Sequence, residues 1–184
     1  MDKRAQIVAA AQRVFQEEGF RGVAVDRLLE PSGASTRTLY KHFGSKDGLA
    51  AAVLADRAKR FLALLSEQPV PAQSPVASLF DGLRRWMGEE GTHGCLFLRA
   101  LGDYAARSGG IADQVRTHKE AVRAVIAARV AAELGQPDEA VAAQVWLLFE
   151  GATAASMVAG AGMAAAAQDA AAVLVSASRG CGRG

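Results

Sequence analysis

Between Lys3 and Glu18 the apolar residues Ile7, Ala10, Ala11, Val14 and Phe15 recur at the i, i+3, i+4, i+7, i+8 spacing of one helical stripe. Gly19 follows as the residue that ends the helix, and Phe20 and Val23 are placed to pack back beneath it. Asp26 to Glu30 reads as a short helix carrying Leu28 and Leu29, closed by Pro31. Ser32-Gly33-Ala34 is a tight turn, and Ser35 is a good N-cap for a third helix reaching about Phe43. Gly44 breaks that helix. Ser45 caps a long fourth one, Lys46 to about Glu67, with Leu49, Val53, Leu54, Phe61, Leu62 and Leu65 as its apolar residues.

Pro69, Pro71 and Pro75, interleaved with Gln and Ser, form the one obvious linker. Beyond it the pattern predicts helices over Val76 to Glu90, Leu96 to Ala106, Ile111 to Leu134, Asp138 to about Ala159, and Asp169 to Ala177. Ser108-Gly109-Gly110 and Gly135-Gln136-Pro137 read as turns. No strand pattern competes and no internal repeat is visible. The expected fold class is all-α.

Composition agrees. Of 184 residues, 40 are alanine and only 6% are aromatic, which suits closely packed helices. A hydrophobic share of 51% against 22% charged residues excludes a disordered chain. Cys95 and Cys181 lie far apart without CxxC spacing, so a reducing cytoplasm is expected. The N-terminus runs from Asp2-Lys3-Arg4 into an amphipathic helix without the apolar core of a leader. The most apolar stretch, Gly151 to Ala167, is mostly alanine and glycine, too short and too weakly apolar for a membrane span. The expectation is a soluble chain with no membrane partner.

The net charge of +2 looks too small for a nucleic-acid binder until the charges are placed. Residues 1–48 hold eight Lys/Arg against six Asp/Glu, and residues 49–184 hold thirteen of each, so the excess is N-terminal. From Ser35 to Lys46 there are three fixed positive charges and no acid. On a helical wheel Leu39 and Phe43 fall together and face inward, whereas Arg37, Thr38 and Lys41 point the other way, flanked by Tyr40 and His42. Two short helices joined by a glycine turn, the second with this face, make a helix-turn-helix candidate. Arg can address guanine edges, Lys and hydroxyls can hold phosphates, and the helix N-terminus donates amides.

Gly19-Phe20, Val25-Asp26, Ser32-Gly33-Ala34-Ser35, Thr38-Leu39-Tyr40-Lys41-His42-Phe43 and Ser45-Lys46-Asp47-Gly48-Leu49 resemble the N-terminal signature of TetR/AcrR-type transcriptional regulators. The resemblance is dense over about residues 4–57; beyond it only Gly94-Cys95-Leu96-Phe97 looks like a segment of one branch. It implies a helix-turn-helix DNA-binding domain over 1–45 and a helical effector-binding and dimerisation domain over 46–184, with helix 46–67 connecting them. It also implies a homodimer on a palindromic double-stranded DNA operator, released by a small apolar effector. By the same resemblance Thr36, Arg37 and Lys41 reach base edges, and Thr38, Tyr40, His42 and Lys46 hold phosphates. Two positions depart. Val25 stands where relatives often carry a capping Thr, so Asp26 is expected to cap the second helix, and Pro31 should end that helix early.

Other residues admit more than one role. Trp86, Met87, Cys95, Phe97, Leu98, Leu101, Tyr104, Val122, Ile126 and Phe149 could line an apolar effector pocket or be simple core. Leu147, Leu148, Gly151, Ala154, Ala155, Val158, Val173 and Leu174 suit close helix approach in a dimer interface, with a monomer core as the competing assignment. Cys95 near His93 leaves a redox-responsive regulator as an alternative. A helical enzyme or binding module without DNA binding is a further one. No catalytic constellation stands behind the enzyme, and the three scattered histidines give no metal site or cofactor.

Overall fold

The computed structural model describes residues 2–67, 74–104 and 109–181. They form nine α-helices and one 3₁₀ turn: α1 (Lys3–Glu18), α2 (Val25–Leu29), the 3₁₀ turn (Glu30–Ser32), α3 (Thr36–Phe43), α4 (Lys46–Ser66), α5 (Pro75–Glu90), α6 (Leu96–Tyr104), α7 (Gly109–Leu134), α8 (Glu139–Ala159) and α9 (Met163–Cys181). Among the described residues there is no strand. Pro69, Pro71 and Ser108 lie outside them.

The helices pack as two units, Met1–Arg60 with Cys95–His118, and Phe61–Gly94 with Lys119–Gly184. In the first, the α1 stripe (Ile7, Val14, Phe15) meets Leu28 and Leu29 of α2, Leu39 of α3, Leu49, Val53 and Leu54 of α4, and Leu96, Phe97, Ala100 and Tyr104 of α6. Phe20 folds back onto Phe15 with ring centroids 4.5 Å apart, as its place after Gly19 predicts. Polar bonds bolt α6 to this core. Asp103 accepts from the backbone N–H groups of Phe20 and Arg21, both at 3.2 Å, and Tyr104 Oη donates to Asp47 at 3.1 Å.

In the second unit Phe61, Phe80, Trp86, Val122, Ile126, Val145 and Phe149 are buried together with Ala164, Ala171 and Val175 of α9. Phe149 lies between Phe61 and Phe80, with centroids 6.2 and 5.9 Å away. Among the described residues α8 is the one helix long and apolar enough to cross a membrane. Val141, Val145, Phe149 and Ala152 on it are buried in this core.

Four expectations from the pattern are corrected. Pro31 does not close the second helix against a loop. It sits in the first turn of the 3₁₀ segment, where its missing N–H goes unneeded, and Gly33 at φ +60° ends that turn. Asp26 does not cap α2: the N-cap is Ala24, with no side-chain bond. Gly109 and Gly110 belong to α7 rather than to a turn. Finally, α9 begins at Met163, not Asp169, because Ala164–Ala167 is a run of the best helix former.

Asp138 N-caps α8, accepting from Val141 N at 3.0 Å and from Ser178 Oγ of α9 at 2.9 Å. The backbone bond to Val141, then the Ser178 hydroxyl, holds its carboxyl below the ordinary carboxylate range. A depressed native pKa contributes stability above the unfolded value and loses it as pH falls through the native one. Asp138→Ala therefore melts at a lower temperature than wild type near neutral pH. Calorimetry down an acid series should show that gap closing below about pH 4.

Candidate nucleic-acid interface

Ser35 Oγ accepts from Thr38 N at 3.2 Å and starts α3, which Gly44 ends at φ +73°. Leu39 is buried against the first core and Phe43 is half-buried, with the Arg4 guanidinium 5.3 Å from its ring centroid. That anchoring fixes which side of α3 faces outward. Arg37, Lys41 and His42 are exposed, and Tyr40 is 52% exposed.

The seven residues singled out in the sequence are therefore not equivalent. Arg37, Tyr40, Lys41 and His42 present their side chains from the exposed face of α3. The Thr38 hydroxyl shares a 2.9 Å bond with Ser35 Oγ, inside the cap. Thr36 Oγ1 donates to Asp26 Oδ1 of α2 at 3.3 Å. Lys46 points its ammonium at the carbonyls of Phe20 (3.0 Å) and Val23 (2.7 Å), holding the segment between α1 and α2. Asp26 was missed as part of this end of the site. It is ten residues from Thr36, and no spacing rule links the two.

Residues 7–53 match the family model for bacterial regulatory proteins of the tetR family. Over that N-terminal segment the chain is similar to the TetR family. Over 66 residues it is 36% identical to the HTH-type transcriptional repressor AcnR of Corynebacterium glutamicum, covering 36% of this chain and 35% of that one. It is 25% identical over 140 residues to the HTH-type transcriptional regulator TcmR of Streptomyces glaucescens, covering 71% of this chain and 62% of that one. These alignments span less than two thirds of either relative. A TetR-family transcriptional regulator from Streptomyces coelicolor superposes with a TM-score of 0.86 over 96% of both chains at 22% identity, a likeness of fold.

The ten pocket candidates fall into two separate groups. Trp86, Met87, Val122, Ile126 and Phe149 are buried in the second core. Phe97 and Tyr104 are buried in the first, with Cys95 and Leu101 packed against it, and Leu98 is 47% exposed. The second unit instead offers a groove of about 510 Å³ between α7 and the start of α8. It is lined by Trp146, by Ala124, Ala127, Ala142 and Ala143, and by Glu120, Arg123 and Glu139. Arg123 lies 5.1 Å from the Trp146 ring centroid.

The dimer candidates divide more simply. Leu147, Gly151, Ala154 and Val158 follow one stripe along α8, all exposed, and Val173 is exposed on α9. Leu148, Ala155 and Leu174 are half-buried, and Leu148 packs on the second core. Among the described residues no three His, Cys, Asp or Glu side chains are placed to hold a metal ion.

Proposed function

We propose that this chain is a ligand-responsive, DNA-binding transcriptional regulator, a repressor acting in the cytoplasm as a homodimer on a palindromic operator. The observation that carries this is the outward face of α3, with Arg37, Tyr40, Lys41 and His42 exposed and no acid on the helix. Residues 1–45 are the segment that docks α3 in the major groove, and 46–184 the part that dimerises and takes the effector. Arg37 and Lys41 address base edges and phosphates, and Tyr40 and His42 hold phosphates. Lys46 acts one step back, fixing the α1–α2 segment against which α3 is mounted.

Dimerisation is supported by the apolar stripe on α8, because a protomer gains nothing from exposing Leu147 and Val158. A two-fold pair presents α3 twice, at half-sites about 34–36 Å apart or a multiple of that. The α7–α8 groove supports effector binding, since about 510 Å³ falls within the roughly 300–1,000 Å³ of small-molecule sites. Its lining suits a compound with an apolar body and a charged or polar group. Release requires only that the effector lower DNA affinity by about 1–3 kcal/mol.

The test is footprinting on DNA flanking the gene, at stated salt, repeated with candidate compounds. A protected palindrome is expected. Binding that is unsaturable and indifferent to sequence would return the alternatives to the front. Arg37→Ala is expected to lose about 1–3 kcal/mol of discrimination at one base pair per half-site. A gel-shift series over single-base operator variants measures it.

A further inference from the structure

Thr36 is the first residue of α3, the end of a recognition helix that meets base edges. Its hydroxyl proton is directed to Asp26 Oδ1 at 3.3 Å. A carboxylate accepts and does not donate, so this bond fixes the hydroxyl as an acceptor toward anything approaching from the groove. Asp26 is available for the task because it caps nothing, α2 having no side-chain cap bond. Its neighbour Arg27 does not neutralise it. That guanidinium is held by Glu18 at 2.8 Å and Glu30 at 2.9 Å. Arg37, the next residue along α3, is exposed.

We infer that Asp26 and Thr36 form an acceptor pair that selects a base with an amino group in the major groove at one position of each half-site. Only adenine N6 and cytosine N4 donate there, whereas guanine N7 and O6 and thymine O4 accept. Thr36 Oγ1 accepts from the amino group, and Asp26 is the positioning residue that keeps the hydroxyl from donating. Guanine or thymine at that position would meet lone pairs and a negative charge. The acid thus contributes rejection of two bases, at the cost of some repulsion from nearby phosphate.

This rests on the proposed DNA-binding function, and the experiment separates the two. The full-length protein is used to select sites from a library randomised in both half-sites, followed by anisotropy titrations of single-base variants at several salt concentrations. Wild type should enrich adenine or cytosine at one position per half-site. Asp26→Ala and Thr36→Val should each lose that preference by about 5-fold or more, the lower end of what one base contact discriminates. Preferences elsewhere should persist, with no loss of salt dependence. Thr36→Ser should retain the preference, and Asp26→Asn, similar in shape but able to donate, should admit guanine or thymine. The Asp26→Ala, Thr36→Val double variant should lose no more than either single. Unchanged base preference in both Asp26 variants, while Arg37→Ala still alters the selected site, overturns the Asp26 role and leaves the regulator intact. Absence of any sequence-selective site for wild type overturns both.

Discussion

Glutamate at both Leu147 and Val158 should convert the protein from dimer to monomer and lower its operator affinity by about 10²–10⁴-fold, the range lost when two linked binding events become independent. Leu147 and Val158 are 62% and 94% exposed on the protomer, so the substitutions disturb no core. In a two-fold interface the same surface meets itself, and each added charge appears twice on an apolar face without a partner. Light scattering reports the oligomeric state and fluorescence anisotropy the affinity. A variant that remains dimeric would place the interface elsewhere. A monomer that binds the operator as tightly as wild type would remove the two-half-site geometry.

Phe149→Ala should cost about 3–5 kcal/mol of stability, a fall of roughly 6–20 °C in melting temperature for a chain of this size. Phe149 is 1% exposed and held between Phe61 and Phe80, and Trp86 packs on Phe61 with centroids 4.9 Å apart. Removing the ring leaves a void that Phe61 of α4 and Phe80 of α5 cannot close without shifting. The result also decides a question the sequence left open. A pocket-lining phenylalanine would lose effector response with little change in melting. A core phenylalanine melts early whether or not an effector is present. Calorimetry with and without a bound compound distinguishes them.

Most helices were legible because their cause is local. The α1 stripe, Gly19, the Ser35 cap and Gly44 act within a few residues of where they stand, so periodicity and capping place α1 and α3 closely. The errors had a local cause too. In the sequence Pro31 reads as a stop, although the first turn of a 3₁₀ segment needs no N–H there. In the sequence the glycines at 109 and 110 read as turn residues although α7 contains them, and a glycine in the first turn of a 26-residue helix is a small cost against its length.

Which face of α3 looks outward followed from the sequence alone, because Leu39 and Phe43 at i, i+4 can only point one way on a helix. So did the concentration of positive charge between Ser35 and Lys46. What the chain could not disclose is what each polar group on that face does. Lys46 and Arg37 are both cations in one basic stretch, yet Lys46 is drawn to two carbonyls between α1 and α2, and Arg37 stands on the open face. Likewise no spacing joins Asp26 to Thr36, or separates Phe97 from Phe149 into different cores. Helix and facing are set by bonds and periodicities a few residues long. The partner of a side chain is set by how distant helices cross, and only the folded chain decides that.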